Sequence, residues 1–167
     1  SLAWVALDLA CQAIGAVSVI VHPATPAATL ARIVGESSPR VVVGNDSCST
    51  REGVAVIPLE EIESLTRPGG NGTESPRRSA PCDPPVGTTA TVMYTSGSTG
   101  EPKGAELTLE AMRSNAALTA DALGIVPEDV VPAVLSFSHS AGRTALLHAA
   151  LCAGAAVALV DRIDLQA

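Results

Sequence analysis

Aromatic side chains are nearly missing from this chain of 167 residues: Trp4, Tyr94 and Phe137 are each the sole member of their kind, and together they make 2% of the composition. Single-stranded nucleic acid is gripped by bases stacking on several rings, so the chain lacks the means for that partner. Positive charge is short as well. Ten Lys and Arg stand against seventeen Asp and Glu, a formal net charge of −7, the wrong sign for a phosphodiester backbone. No apolar run reaches the roughly 18 residues that a membrane-spanning helix needs. The nearest candidate, Leu2–Ile14, is interrupted by Asp8 and Gln12. No basic lead-in followed by an apolar stretch marks a secretory signal. The four cysteines, at 11, 48, 82 and 152, form no C-x-x-C pair and have no zinc-ligand spacing. Unpaired thiols in a reducing compartment, and hence a cytoplasmic protein, are the expectation.

What the chain does have is a large stock of small apolar residues. Hydrophobic residues make up 47% of it, which separates it from disordered chains and is enough for a real core. The pattern alternates. Residues 1–15 read as a helix whose polar positions Ser1, Asp8, Gln12 and Gly15 share one narrow stripe, so that the rest is mostly buried. Residues 16–21 read as a buried strand. Residues 26–36 read as a helix with Thr25 as N-cap and Pro26 at its first position. Strands follow at 40–43 and 54–59, with an Asn45-Asp46 turn between them and a helical turn at 60–65. Residues 66–86 are rich in Pro, Gly and charge, with almost nothing to bury, and read as a surface linker.

Beyond it come a core strand at 90–94, a short strand at 105–108 and a helix over 109–123. That helix carries an apolar stripe of Leu109, Met112, Ala116, Ala120 and Leu123, and Gly124 stops it. Strands at 130–137 and 155–160 flank a helix at 144–153. Strand and helix in this rhythm predict an α/β fold, a largely parallel sheet flanked by helices. The organisation read from it is a first α/β segment at 1–65, the linker at 66–86 and a second α/β segment at 87–167, together part of one larger domain.

The chemistry concentrates in one stretch, Thr95-Ser96-Gly97-Ser98-Thr99-Gly100-Glu101-Pro102-Lys103-Gly104. It follows the strand at 90–94 directly. Glycine permits positive φ, so successive backbone N–H groups can converge on one point and form an anion nest. Ser and Thr hydroxyls add donors, and Lys103 adds a mobile positive charge, so a polyphosphate is the natural guest. The stretch is neither of the usual phosphate fingerprints: G-x-x-x-x-G-K-[ST] and G-x-G-x-x-G are both absent.

The ordered string TSGSTGEPKG closely resembles the phosphate-binding signature of the adenylate-forming enzymes, the superfamily of acyl-CoA synthetases, peptide-synthetase adenylation domains and luciferases. The resemblance extends to LAWVALDLACQAIGAVSVIVHPATP and to VVPAVLSFSHSAGRTALLHAALCAGAAVALVDRID. The latter is similar to the segment lining the acyl pocket of fatty-acyl-CoA synthetases. The resemblance implies part of the N-terminal domain of such an enzyme. It implies that Thr95, Ser96, Ser98 and Thr99, with the backbone of Gly97 and Gly100, hold the β- and γ-phosphates of ATP, and that Lys103 screens their charge as a residue of the catalytic site. Mg2+ and coenzyme A are implied with ATP, and the partner is a small-molecule carboxylate, a fatty acid by this resemblance.

His139 falls at a family position near the acyl carboxylate and is read as a pocket residue, not a general base. His22 and His148 read as structural. Arg143 is open between meeting a carboxylate and capping a helix. The segment departs from fatty-acyl relatives in lacking a proline near Ser136 and an aromatic near Ala141, which leaves the acyl-chain length open. The adenine, ribose and Mg2+ ligands and the C-terminal domain of the family have no counterpart within these residues, and the abrupt ends read as cut from a longer protein. A peptide-synthetase-type adenylation domain, or a nucleotide-binding remnant without catalysis, is the alternative.

Overall fold

The computed structural model describes residues 1–44, 54–66, 84–95 and 102–160. The Asn45-Asp46 turn, most of the linker and the phosphate-loop residues Ser96, Gly97, Ser98, Thr99 and Gly100 lie outside them. The protein is a mixed α/β chain with helices beside small sheets, and it falls into two compact units, Leu2–Asp83 and Pro84–Ala167.

In the first unit α1 (Leu2–Ile14) precedes β1 (Ser18–Ile20), α2 (Ala27–Ser37), β2 (Val41–Gly44), β3 (Ala55–Pro58) and α3 (Leu59–Thr66). Strands β2 and β3 run parallel, with Val41 opposite Ala55 and Gly44 opposite Pro58, and α1 packs against α3. The polar stripe of α1 points the other way from the sequence expectation. Asp8 is buried beside Ala3 and Val5, whereas Leu2, Leu9 and Ile14 are exposed. Gln12 Nε2 donates to Asp8 Oδ2 at 3.1 Å, so the buried carboxylate has the hydrogen bonding that burial demands. The start of α2 differs as well. Pro26, not Thr25, is the cap residue, and no side chain caps the helix. Its extended backbone (φ −56°, ψ 143°) turns its carbonyl to accept Leu30 N–H at 2.9 Å.

The second unit holds β4 (Thr89–Thr95), β5 (Lys103–Thr108), α4 (Leu109–Leu123), β6 (Val130–Ala133), a π-helical stretch (Ala141–His148), α5 (Ala149–Ala153) and β7 (Ala156–Leu159). Strands β6 and β7 are parallel, Val130 to Ala133 opposite Ala156 to Leu159. Strands β4 and β5 are antiparallel, because residues 96–102 are too few for the crossover that a parallel pair requires. A bulge at Ala90 shifts the register between Thr89 and Thr91 and adds local twist.

Helix α4 follows β5 without a gap because Thr108 ends one and caps the other. Its extended backbone turns its Oγ1 to accept Ala111 N–H at 3.1 Å. Gly124 closes the helix in the left-handed region at φ 65°, where a side chain is costly. Leu109, Met112, Ala116 and Ala120 are buried along one face, as the stripe predicts, and Ala90, Leu109 and Met112 form a core cluster with Leu107 packed on it. Leu123 departs from the stripe and is exposed. It sits in the last turn, next to the Gly124 that ends the helix. No helix among the described residues is long and apolar enough to cross a membrane.

Candidate functional site

The signature stretch leaves the sheet at Thr95 and returns at Lys103. These two residues are register partners, as are Tyr94 and Gly104 one step further in. The structure therefore sets the first hydroxyl and the lysine of the signature side by side, at the end of the β4–β5 pair. Thr95 Oγ1 reaches the Lys103 carbonyl at a long 3.4 Å. Both side chains are exposed, and among the described residues the Lys103 ammonium enters no ion pair, which leaves it available to an anion.

Gly104 has a packing reason. A Cβ there would stand 2.9 Å from Val92 Cγ1 and 3.4 Å from Tyr94 Cζ. The bare backbone admits the Tyr94 ring across the stem, as cross-strand aromatics do over glycine. Behind the stem, Ala90, Thr91 and Met93 are buried, so the strand ends at Thr95 and Lys103 stand on a packed platform.

The second polar segment begins where β6 stops. The strand ends at Ala133, not at Phe137, because side chains in the next residues take up the backbone groups. Ser136 and Ser138 share a 2.8 Å hydroxyl contact, and Ser138 N–H donates to Ser136 Oγ at 3.3 Å. His139 N–H donates to the Ser136 carbonyl at 3.0 Å. Local bonds of this kind compete with a β-ladder. His139 is exposed at the end of this turn, and its Nδ1 accepts Ala141 N–H at 3.2 Å. Its carbonyl accepts Arg143 N–H at 3.1 Å.

The helix expected from 144 starts at 141, as the π-helical stretch that runs into α5. π-Helical turns are rare and gather at functional sites. Gly142, Arg143, Thr144, Leu147 and His148 are buried on it, and Arg143 is 0% exposed. Gly142 is the residue whose weight sequence reasoning misses. A Cβ there would collide with the Ser136 carbonyl oxygen and stand 2.9 Å from the Leu135 carbonyl oxygen. The available signal is a glycine three residues after His139 at a strand end, a common mark of close backbone approach. The described hydrogen bonds link His139 to its own turn and not to Thr95 or Lys103.

The chain that carries this signature stretch, polar turn and helix matches a known family model. The model for AMP-binding enzymes covers residues 1–167. The chain belongs to the AMP-binding enzyme family. It is 38% identical over 89 residues to an indoleacetate–CoA ligase of Aromatoleum aromaticum, an alignment covering 52% of this chain and 18% of that protein. It is 30% identical over 152 residues to the nonribosomal peptide synthetase penN of Penicillium thymicola, covering 91% of this chain and 5% of that one.

The fold is similar to that of ATP-bound MatB from Rhodopseudomonas palustris, with a TM-score of 0.83 at 22% identity over 98% of this chain and 34% of that one. It is also similar to o-succinylbenzoate coenzyme A synthetase from Bacillus subtilis in complex with AMP, with a TM-score of 0.71 at 23% identity over 97% of this chain and 41% of that one. The chain thus spans a small part of its curated relatives and about a third of MatB, and what it shares with the solved structures is the fold of part of their N-terminal domain. Among the described residues no three His, Cys, Asp or Glu side chains gather as a metal cage, so none of them is assigned to Mg2+.

Proposed function

We propose that this AMP-binding chain is the phosphate-gripping part of an ATP-dependent acid–thiol ligase. In this reading a substrate carboxylate oxygen attacks the α-phosphorus of ATP. The new O–P bond forms as the bond to the β-phosphate oxygen breaks, giving acyl-AMP and pyrophosphate. The sulfur of coenzyme A then attacks the acyl carbon, the thiol proton is lost, and AMP departs with the electron pair of the acyl–oxygen bond.

Negative charge grows on the departing pyrophosphate. Preorganised donors and a cation placed at that charge are what lowers such a barrier. Thr95, Ser96, Ser98 and Thr99, with the amides of Gly97 and Gly100, are proposed as the donors, and Lys103 as the cation. ATP is the first substrate, with Mg2+ as its counter-ion and coenzyme A as the acceptor. The observation that carries the reading is the register of the stem. Thr95 opposite Lys103 brings the two ends of the signature together with an ammonium free of carboxylate partners among the described residues.

His139 is proposed as a wall of the acid pocket. A fatty acid is the finer reading of the acid, supported by the resemblance of residues 130–164 to fatty-acyl ligases. The relative at 38% identity favours an aromatic acid instead, and the peptide-synthetase relative an amino acid. ATP–pyrophosphate exchange by the parent-length ligase of which this chain is the proposed part, with a panel of long-chain, aryl and amino acids, separates the three by which acid supports exchange. Exchange with none of them, or exchange indifferent to Thr99→Ala and Lys103→Ala, refutes the ligase reading.

A further inference from the structure

The parallel pair β6–β7 is covered on one side only. Side chains alternate along a strand, and register partners share a face. Val131 opposite Val157 and Ala133 opposite Leu159 make one face; Val130 opposite Ala156 and Pro132 opposite Ala158 make the other. The first meets the helices of its own unit. The π-helical stretch packs against β6 and α5 against β7, and Ala133 is buried. The second face is open. Val130 is 63% exposed, Pro132 and Ala156 are exposed, and Ala158 is half-buried. Val134 and Val160, just past the strand ends, are exposed as well.

A sheet face built for water carries polar side chains, and this one carries none. Parallel strands occur almost only where both faces are covered. Pro132 has no N–H to give a further strand beside β6, so the want here is a cover for the face, not a neighbour along that edge. Proline and two alanines make a low floor beside the taller Val130, on which the side chains of a helix can settle. The source of the cover follows from the extent of the likeness to MatB. Of this chain 98% is matched, but only 34% of MatB is, so the covering element belongs to the unmatched remainder.

We propose that the face formed by Val130, Pro132, Ala156 and Ala158 seats the apolar side of an amphipathic helix supplied by the parent-length enzyme from outside residues 1–167. The inference rests on the reading above only in taking the chain as part of a longer enzyme; it is independent of the reaction.

The test labels the face in the parent-length protein. Ala156→Cys is treated with a maleimide, and peptide mass mapping separates the label at position 156 from those on the native cysteines. Labelling is expected to run about a hundredfold or more slower than in urea-unfolded protein, as for a site reached only by local opening. Labelling at close to the unfolded rate overturns the proposal. Ala158→Cys gives the same readout where the first variant fails to fold. A diazirine-bearing aliphatic residue at position 130 then identifies the cover. A cross-link within one molecule to a peptide outside residues 1–167, with apolar residues at helical spacing, is the expected product. A cross-link to a second copy, with protection lost on dilution, overturns the proposal, and so does a cross-link inside residues 1–167. ATP–pyrophosphate exchange by the unaltered protein keeps the two readings apart. Protection at position 156 without exchange on any acid supports the seat and removes the ligase; exchange with position 156 open does the reverse.

Discussion

Replacing Gly142 by alanine adds one methyl group where the backbone leaves no space. The new Cβ would collide with the Ser136 carbonyl oxygen and stand 2.9 Å from both the Leu135 carbonyl oxygen and the Ser136 carbonyl carbon. Carbon–oxygen contacts settle at about 3.3–3.6 Å even when weakly attractive, so the turn must retreat by roughly half an ångström or more. A flexible side chain could yield at little cost, but these are main-chain atoms, and the Ser136 oxygen is held by His139 N–H at 3.0 Å. Overpacking costs about 1–3 kcal/mol, and loss of that hydrogen bond adds about 1 kcal/mol, for a destabilisation of about 2–4 kcal/mol.

Urea denaturation is the assay. With a slope of about 1–3 kcal/mol per molar, the midpoint falls by roughly 1–2 M at unchanged slope. Gly35 supplies the control. It lies inside α2, and a Cβ there would meet nothing within 4 Å, so Gly35→Ala gains helix propensity and is expected to stabilise by about 0.5–1 kcal/mol. A Gly142→Ala protein within about 0.5 kcal/mol of the parent, the range of an ordinary surface change, refutes the close-approach argument.

Lys103→Ala is expected to cut ATP–pyrophosphate exchange by about 5- to 1000-fold, since a cation about 4 Å from phosphate is worth about 1 kcal/mol in water and about 4 kcal/mol in a partly screened site. Its urea midpoint should barely move, because the side chain is exposed and without an ion pair among the described residues. Thr108→Ala removes the acceptor of Ala111 N–H and is expected to cost about 1 kcal/mol, while Thr108→Ser retains most of it. Thr144 Oγ1 is buried with no hydrogen-bond partner among the described residues. Thr144→Val removes an unsatisfied group at nearly equal shape and is expected to raise stability by about 1 kcal/mol; a lower urea midpoint would show that the hydroxyl is bonded.

The parts of the fold legible from sequence are those whose determinants are local. Helix α4 has the bounds its pattern predicts, Leu109–Leu123, because a threonine acceptor and a left-handed glycine end it within the sequence itself. The core strand before the signature is equally plain, since its buried positions are apolar or β-branched. Features decided by bonds between neighbouring segments are harder to see. The apolar run of β6 continues to Phe137 and so overstates the strand, while the hydroxyls of Ser136 and Ser138 draw the chain out of the ladder. Asp8 reads as part of an outer stripe because charge is usually solvated, yet it is buried with Gln12 bonded to it. The π-helical start of the last helix has no periodic signature, since one inserted residue shifts the phase of every apolar position after it.

The candidate site divides along the same line. The hydroxyls, glycines and lysine proposed for it stand in the sequence as an ordered string. Their relative placement is not legible there, because it depends on how the chain comes back. As a pattern of strands and helices, the chain suggests parallel pairing, and in a parallel arrangement Thr95 and Lys103 would have no reason to be opposite each other. The brevity of the stretch from 96 to 102 is the decisive quantity. It forbids a crossover, forces an antiparallel return, and so makes Thr95 and Lys103 partners. The same economy operates at His139, where three nearby side chains, Ser136, Ser138 and His139, and one glycine set the turn without help from any distant strand. In both places a short connection, not a long-range contact, determines which groups stand beside each other.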